Sequence, residues 1–284
     1  MTKQWLAAVA ALAFAATAAA QDRYTPVSPI PLGDALLSLP TSHIPSEGTW
    51  EVKFTHRFNQ SLDQGSGSDR LHSLFGLDSN ADVGIGGSYA PTRDLQFSLT
   101  RSNALDDIEV AAKYVAFQQA PAIPFSAAAR VGGDFRTERG LKDRTSVFGQ
   151  LILSHQFGRK AEVFLIPTYV TNAGRSVSGE ESTALFEHAF NVPIGAAIMI
   201  RPALSVVVEI VPENRDLPDS IRADFAWAIG LKRAIGGHYF EILVSNSNAT
   251  HVDQYVTSTY QGTGLARGDL HLGFNIERRF GRRR

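Results

Sequence analysis

The chain has 284 residues, with 27 Lys and Arg against 28 Asp and Glu, a formal net charge of −1 and no Cys. That balance gives no whole-chain attraction to nucleic acid, and a cysteine-free chain relies on no disulfide and no thiolate metal site. Its hydrophobic content is 44%, and no apolar run after the leader approaches the ~20 residues a spanning helix needs, which excludes a bundle of transmembrane helices.

Residues 1–20 read as a signal peptide. Lys3 supplies the positive start, Trp5 to Ala16 the apolar stretch, and Ala18-Ala19-Ala20 an A-x-A site before Gln21. Residues 21–48 are a Pro-rich periplasmic segment in which Pro26, Pro29, Pro31, Pro40 and Pro45 forbid a long helix or an interior strand. Such a terminal segment reads first as a tether. The sharper reading is a plug, because Leu36, Leu37 and Leu39 need cover and the barrel mouth is the nearest source of it.

From residue 49 to residue 280 the chain alternates apolar and polar positions with the period of a strand. In 49–58, Trp50, Val52, Phe54 and Phe58 oppose Glu51, Lys53, Thr55 and Arg57, with His56 the one polar residue on the apolar side. The last segment repeats the pattern, Leu270, Leu272, Phe274, Ile276 and Phe280 opposing Asp269, His271, Gly273, Asn275 and Glu277. Strands are expected between these near 81–90, 95–101, 108–117, 125–136, 146–157, 161–171, 187–200, 204–211, 221–232 and 238–245. The fold predicted is all-β, a closed antiparallel up-and-down transmembrane β-barrel of about 12 strands at 49–280, followed by a basic tail at 281–284.

Connections alternate in length. Those at 91–94, 118–124, 158–160, 201–203 and 233–237 are short and carry Pro or Gly, as periplasmic turns do, and those at 59–80, 102–107, 137–145, 172–186, 212–220 and 246–268 are mostly longer and more polar. A soluble β-sandwich would alternate in the same way. Size separates the two, since about twelve closed strands enclose more room than apolar side chains can fill, which turns the apolar face toward lipid. Aromatics at strand ends form two expected girdles, Trp50, Tyr89, Tyr114, Phe125, Phe157, Phe240 and Phe280 at one level and Phe58, Phe135, Tyr169 and Phe186 at the other.

The stretches LLSLPTSHI (36–44), FTHRF (54–58), LFGLDSNADVGIGGSY (74–89), NSNATHVDQYV (246–256) and LHLGFNIERRF (270–280) resemble an uncharacterised bacterial family of outer-membrane β-barrels, a domain of unknown function. The resemblance implies fold and an outer-membrane location, and it supplies no substrate or catalytic residue. The chain departs from many such barrels in continuing past Phe280 with Gly281-Arg282-Arg283-Arg284.

Signatures of chemistry are weak. No His is followed two positions later by Ser, the spacing that would let a strand-borne pair share a proton, and the adjacent Ser154 and His155 point to opposite faces. Asp78-Ser79-Asn80-Ala81-Asp82 imitates a calcium loop without its Gly and its closing acid, so a turn is the expected role. No enzyme, cofactor or metal site is predicted. The informative residues are the inward ones: Lys53, Arg57, Arg130, Asp134, Arg136, Arg222, Asp224, Glu209 and Glu241 are candidates to line the lumen. Charged walls of mixed sign suit a narrow, weakly selective, porin-like channel for small solutes in outer-membrane lipid. The alternative is a closed structural or adhesive barrel acting through its outer loops, with a barrel hydrolase third.

Overall fold

The computed structural model describes residues 30–62, 65–73, 76–138, 144–174, 186–213, 223–260 and 270–281. The expected signal peptide lies outside them. The wall is built from β1 (Thr49–Phe58), β2 (Ala81–Ala90), β3 (Leu95–Ser102), β4 (Asp107–Phe117), β5 (Ser126–Arg136), β6 (Thr145–Phe157), β7 (Ala161–Leu165), β8 (Thr168–Ala173), β9 (Phe186–Asn191), β10 (Ile194–Arg201) and β11 (Leu204–Val211). After the two-residue β12 (Ala223–Asp224) it continues with β13 (Ala226–Ile235) and β14 (His238–Ser245), and after β15 (Thr259–Tyr260) it ends with β16 (His271–Phe280). All pairings are antiparallel, each stave of the wall pairs with the staves before and after it along the chain, β1 pairs with β16, and the ring closes as a 12-strand barrel. Among the described residues no helix is long and apolar enough to cross a membrane.

Two of the twelve staves are interrupted, and proline is the cause. The seventh is β7 and β8 on either side of Ile166-Pro167, and the eighth is β9 and β10 on either side of Val192-Pro193. Proline has no N–H for the ladder, but its carbonyl still accepts: Leu151 N–H donates to Pro167 O and Ile166 N–H to Pro193 O, both at 2.9 Å. The pairing registers on the two sides of each break agree. The tenth stave runs over 226–235 where 221–232 is expected, because the turn that follows it needs only Gly236 and Gly237, both at positive φ.

Alternation sorts the faces. Trp50, Ile85, Leu99, Val131, Val147 and Ile242 are exposed on the outer surface, and Glu51, Arg57, Lys113, Asp134, Glu209 and Lys232 are buried inside. Trp50 stacks on Tyr89 with ring centroids 4.3 Å apart. Tyr114, Phe125, Phe157, Phe240 and Phe280, with Phe135 and Tyr169 at the other end, also stand exposed. Phe186 corrects the expected girdle, being buried. Asn172 adopts φ 50, which interrupts the alternation, so Ala173 and its cross-strand partner Phe186 turn inward together.

A predominantly apolar outer face is what lipid requires. Leu151 is exposed midway along β6, so Leu151→Arg is expected to destabilise the folded barrel by about 2–4 kcal/mol, as charged residues at mid-depth do. Leu151→Phe should be close to neutral. Equal damage from both, measured by folding titration into lipid vesicles, would contradict the assigned faces.

Candidate functional site: the filled lumen

A barrel of twelve strands has room inside for more than its own side chains, and here two pieces of the chain occupy it. The inner one is residues 30–45. Ile30, Leu32, Leu36, Leu37 and Leu39 are buried in one apolar cluster with wall residues such as Ala111, Ile152, Phe164, Ala197 and Val207. Within it, Asp34 to Thr41 make a tight turn: Ala35 bridges Pro40, Leu36 N–H donates to Leu39 O at 2.8 Å and Thr41 N–H to Asp34 O at 2.9 Å.

That turn leaves peptide groups facing the wall, and the inward polar side chains meet them. Leu37, Ser38 and Leu39 donate three consecutive N–H groups to Glu209 Oε1 at 2.8, 2.9 and 2.8 Å. The carbonyls are met by cations and amides: Lys232 donates to Ala35 O and Leu36 O at 2.8 and 3.1 Å, Asn275 to Leu37 O at 2.8 Å, and Lys113 to Asp34 O and Thr41 O at 3.1 and 3.3 Å. Arg57 donates to Ser38 Oγ at 3.2 Å and Gln96 to Asp34 Oδ2 at 3.0 Å. Burial opposes ionisation of Asp34, but the charges of Lys113, Lys53 and Arg279 outweigh it and hold this carboxyl well below the usual carboxylate range.

Apolar fit is as specific. A Cβ on Gly195 would stand 2.2 Å from Leu36 Cδ1, and one on Gly230 would stand 3.0 Å from Leu37 Cδ2, so these wall glycines are the hollows that receive the two leucines. Farther along, Ser42 Oγ lies 2.7 Å from Ser154 Oγ, and Glu162 accepts from Ser154 at 2.8 Å and sits 2.9 Å from His43 Nε2. The carboxylate stands between serine and histidine, so the ring cannot take the serine proton directly, which is the contact a nucleophilic pair needs. Ser154 faces inward, opposite to His155, and the inner segment covers it.

The outer closure is 246–258, expected as part of an exposed loop. Around the helical turn Val252–Tyr255 it folds into the lumen, burying Val252, Tyr255 and Val256. Arg136 pairs with Asp253, Val252 N–H donates to Glu109 Oε2 at 3.1 Å, Gln150 donates to Tyr255 Oη at 2.7 Å, and Asn191 to Val256 O at 2.9 Å. A cavity of about 30 Å³, enough for one water, touches both closures, with Ser38 and Leu39 on one side and Tyr255 and Ala249 on the other.

The structure thus locates the candidate lumen residues individually. Lys53 pairs with Glu277 at 3.2 Å, Arg57 donates to Asn275 Oδ1 at 2.7 Å, Arg130 pairs with Glu109, and Glu241 lies 2.6 Å from Lys232 Nζ. Glu209 grips the inner segment and Arg136 the outer one. Asp134 is fully buried with neither carboxylate oxygen hydrogen-bonded among the described residues. Asp224 belongs to β12, which pairs with β15 in a separate two-stranded sheet rather than with the wall. Arg222 lies outside the described residues.

The inner closure can be tested because the chain has no Cys. Leu37→Cys in the otherwise native protein is expected to resist maleimide labelling, and to label readily once Gly195→Val removes the hollow for Leu36. Equal protection in a folded Gly195→Val background would contradict the packing described.

No curated relative matches the chain. Among solved structures, the NanC porin aligns at 9% identity and TM-score 0.48, over 82% of this chain and 100% of that one. The Acinetobacter baumannii outer membrane protein Omp33 aligns at 10% and 0.41, over 82% and 99%. Outer membrane phospholipase A from Escherichia coli aligns at 8% and 0.42, over 84% and 94%. No functional inference follows from likeness this distant. A family model for a membrane-bound β-barrel domain, DUF5777, matches residues 33–280, beginning inside the lumen segment ahead of the first strand, and the chain belongs to that family.

Proposed function

We propose that this barrel is a porin-like outer-membrane channel for small solutes that is closed at rest by its own chain. The observation that carries the reading is how the inner segment is held. Three charged wall residues, Glu209, Lys232 and Lys113, and the amide of Asn275 are bonded to peptide groups of residues 34–41. Other wall charges pair with one another, as Lys53 does with Glu277 and Arg279 with Glu51, but these polar groups are given to a segment that is not part of the wall. Withdrawing the segment would leave Glu209, Lys232, Lys113 and Asn275 open to water beside the apolar patch of Ile152, Phe164 and Val207, and the charged part of that surface is what a pore lining needs.

The closures lie in series, since both border the same small cavity. Opening one leaves the other in place. In planar bilayers, wild-type protein is expected to be nearly silent, and deletion of residues 22–48 to raise conductance modestly. The same deletion with Arg136→Ala, which frees Asp253 and the outer closure, should raise it most. If the double variant folds and stays silent, the barrel is a closed structural one and the channel reading fails.

A further inference from the structure

At the outer end of the lumen three side chains from three elements converge. Register pairs Asp107 with Arg136 and Glu109 with Asp134 across β4 and β5, which gathers Asp107, Glu109 and Asp134 on the inner face. His251 enters from the outer closure. One ligand atom from each of Asp107, Asp134 and His251 lies within 4.8 Å of the other two. His251 Nδ1 is 3.2 Å from Asp107 Oδ2 and 4.0 Å from Asp134 Oδ1, and the three side chains are 2% exposed or less.

These groups are poorly satisfied by protein alone. Neither oxygen of Asp134, nor Nε2 of His251, nor Oδ1 of Asp107 has a hydrogen bond among the described residues, and His251 Nδ1 has only its contact to Asp107 Oδ2. The nearby guanidinium groups are engaged elsewhere, Arg130 by Glu109 and Arg136 by Asp253. A bare buried carboxylate set directly opposite Glu109 is among the costlier arrangements a sheet can hold. The second carboxylate cluster, Asp34, Glu51 and Glu277, also holds oxygens without hydrogen bonds but has Arg and Lys against it: Arg279 pairs with Glu51, and Lys53 and Lys232 flank Glu277 at 3.2 and 3.8 Å.

We propose that Asp107, Asp134 and His251 bind a divalent first-row transition-metal ion, of the Zn²⁺ or Mn²⁺ kind, that fastens the outer closure to the barrel wall. One imidazole with two carboxylates suits such ions, whereas Ca²⁺ and Mg²⁺ prefer oxygen throughout. Two atoms each about 2.1 Å from one ion stand at most about 4.2 Å apart; the two distances from His251, 3.2 and 4.0 Å, fall within that reach, and the two carboxylates lie within 4.8 Å of each other. Gln254, one turn along, donates to Asp107 Oδ2 at 3.3 Å and orients it. The site stands on these residues alone, whether or not the barrel conducts.

The test uses the full chain folded in detergent, stripped with EDTA, dialysed, and titrated with Zn²⁺, Mn²⁺ or Ca²⁺, with metal content read by mass spectrometry and stability by thermal unfolding. The expected result is one equivalent of Zn²⁺ or Mn²⁺ retained per chain and a higher unfolding midpoint on its return, with no such effect of Ca²⁺. Asp134→Asn and His251→Gln, each confirmed folded by heat-modifiable gel mobility, should weaken retention by at least about tenfold. Wild-type protein that retains neither ion stoichiometrically, that takes up Ca²⁺ alone, or whose folded variants retain the ion as well as it does would overturn the proposal. Should a variant not fold, the wild-type metal content decides by itself.

Discussion

One buried carboxylate organises the interior. Glu209 on β11 accepts three consecutive peptide N–H groups, from Leu37, Ser38 and Leu39. An ionised group inside a barrel is costly unless its lone pairs are met, and charge-assisted bonds to backbone N–H are the strong kind, each about 1.5–3 kcal/mol. Meeting them fixes the conformation of the turn. Once the N–H groups point at β11, the carbonyls of Ala35, Leu36 and Leu37 must point elsewhere, and Lys232 and Asn275 on the neighbouring β13 and on β16 receive them.

The remaining contacts depend on that arrangement. With the turn seated, Leu36 and Leu37 reach the hollows at Gly195 and Gly230, and the apolar cluster closes over Ile152, Phe164 and Val207. The wall answers at the inner end with its own pairs, Lys53 with Glu277, Lys232 with Glu241 and Arg279 with Glu51. Charged side chains that a hydrated pore would expose to water are here met by one another, by the inner segment and by the outer closure.

Much of this fold is legible in the sequence because a membrane barrel imposes a period of two with lipid on one side, and side chains such as Trp50, Ile85 and Val131 register that directly. Departures occur where local backbone overrides the period. Asn172 at positive φ reverses the facing of Phe186, and Pro167 and Pro193 break staves that read as continuous. The interior is less legible, since alternation says which residues face inward and nothing of what fills the space. Leu36, Leu37 and Leu39 carry a signal, being apolar residues in a segment that cannot form a wall strand. Val252, Tyr255 and Val256 carry the same signal in the outer loop, where the polar residues around them mask it. The convergence of Asp107, Asp134 and His251 has no spacing signature at all, because strand register and a folded-back loop create it.

The central claim is that the Glu209 carboxylate holds the inner segment in the lumen. Hydrogen exchange at Leu37, Ser38 and Leu39 measures this most directly. In the native protein these amides are expected to be protected nearly as well as those of the wall strands, and in Glu209→Gln to exchange much faster while β1 and β16 keep their protection. Free exchange in the native protein, or undiminished protection in a folded Glu209→Gln barrel, would contradict the account.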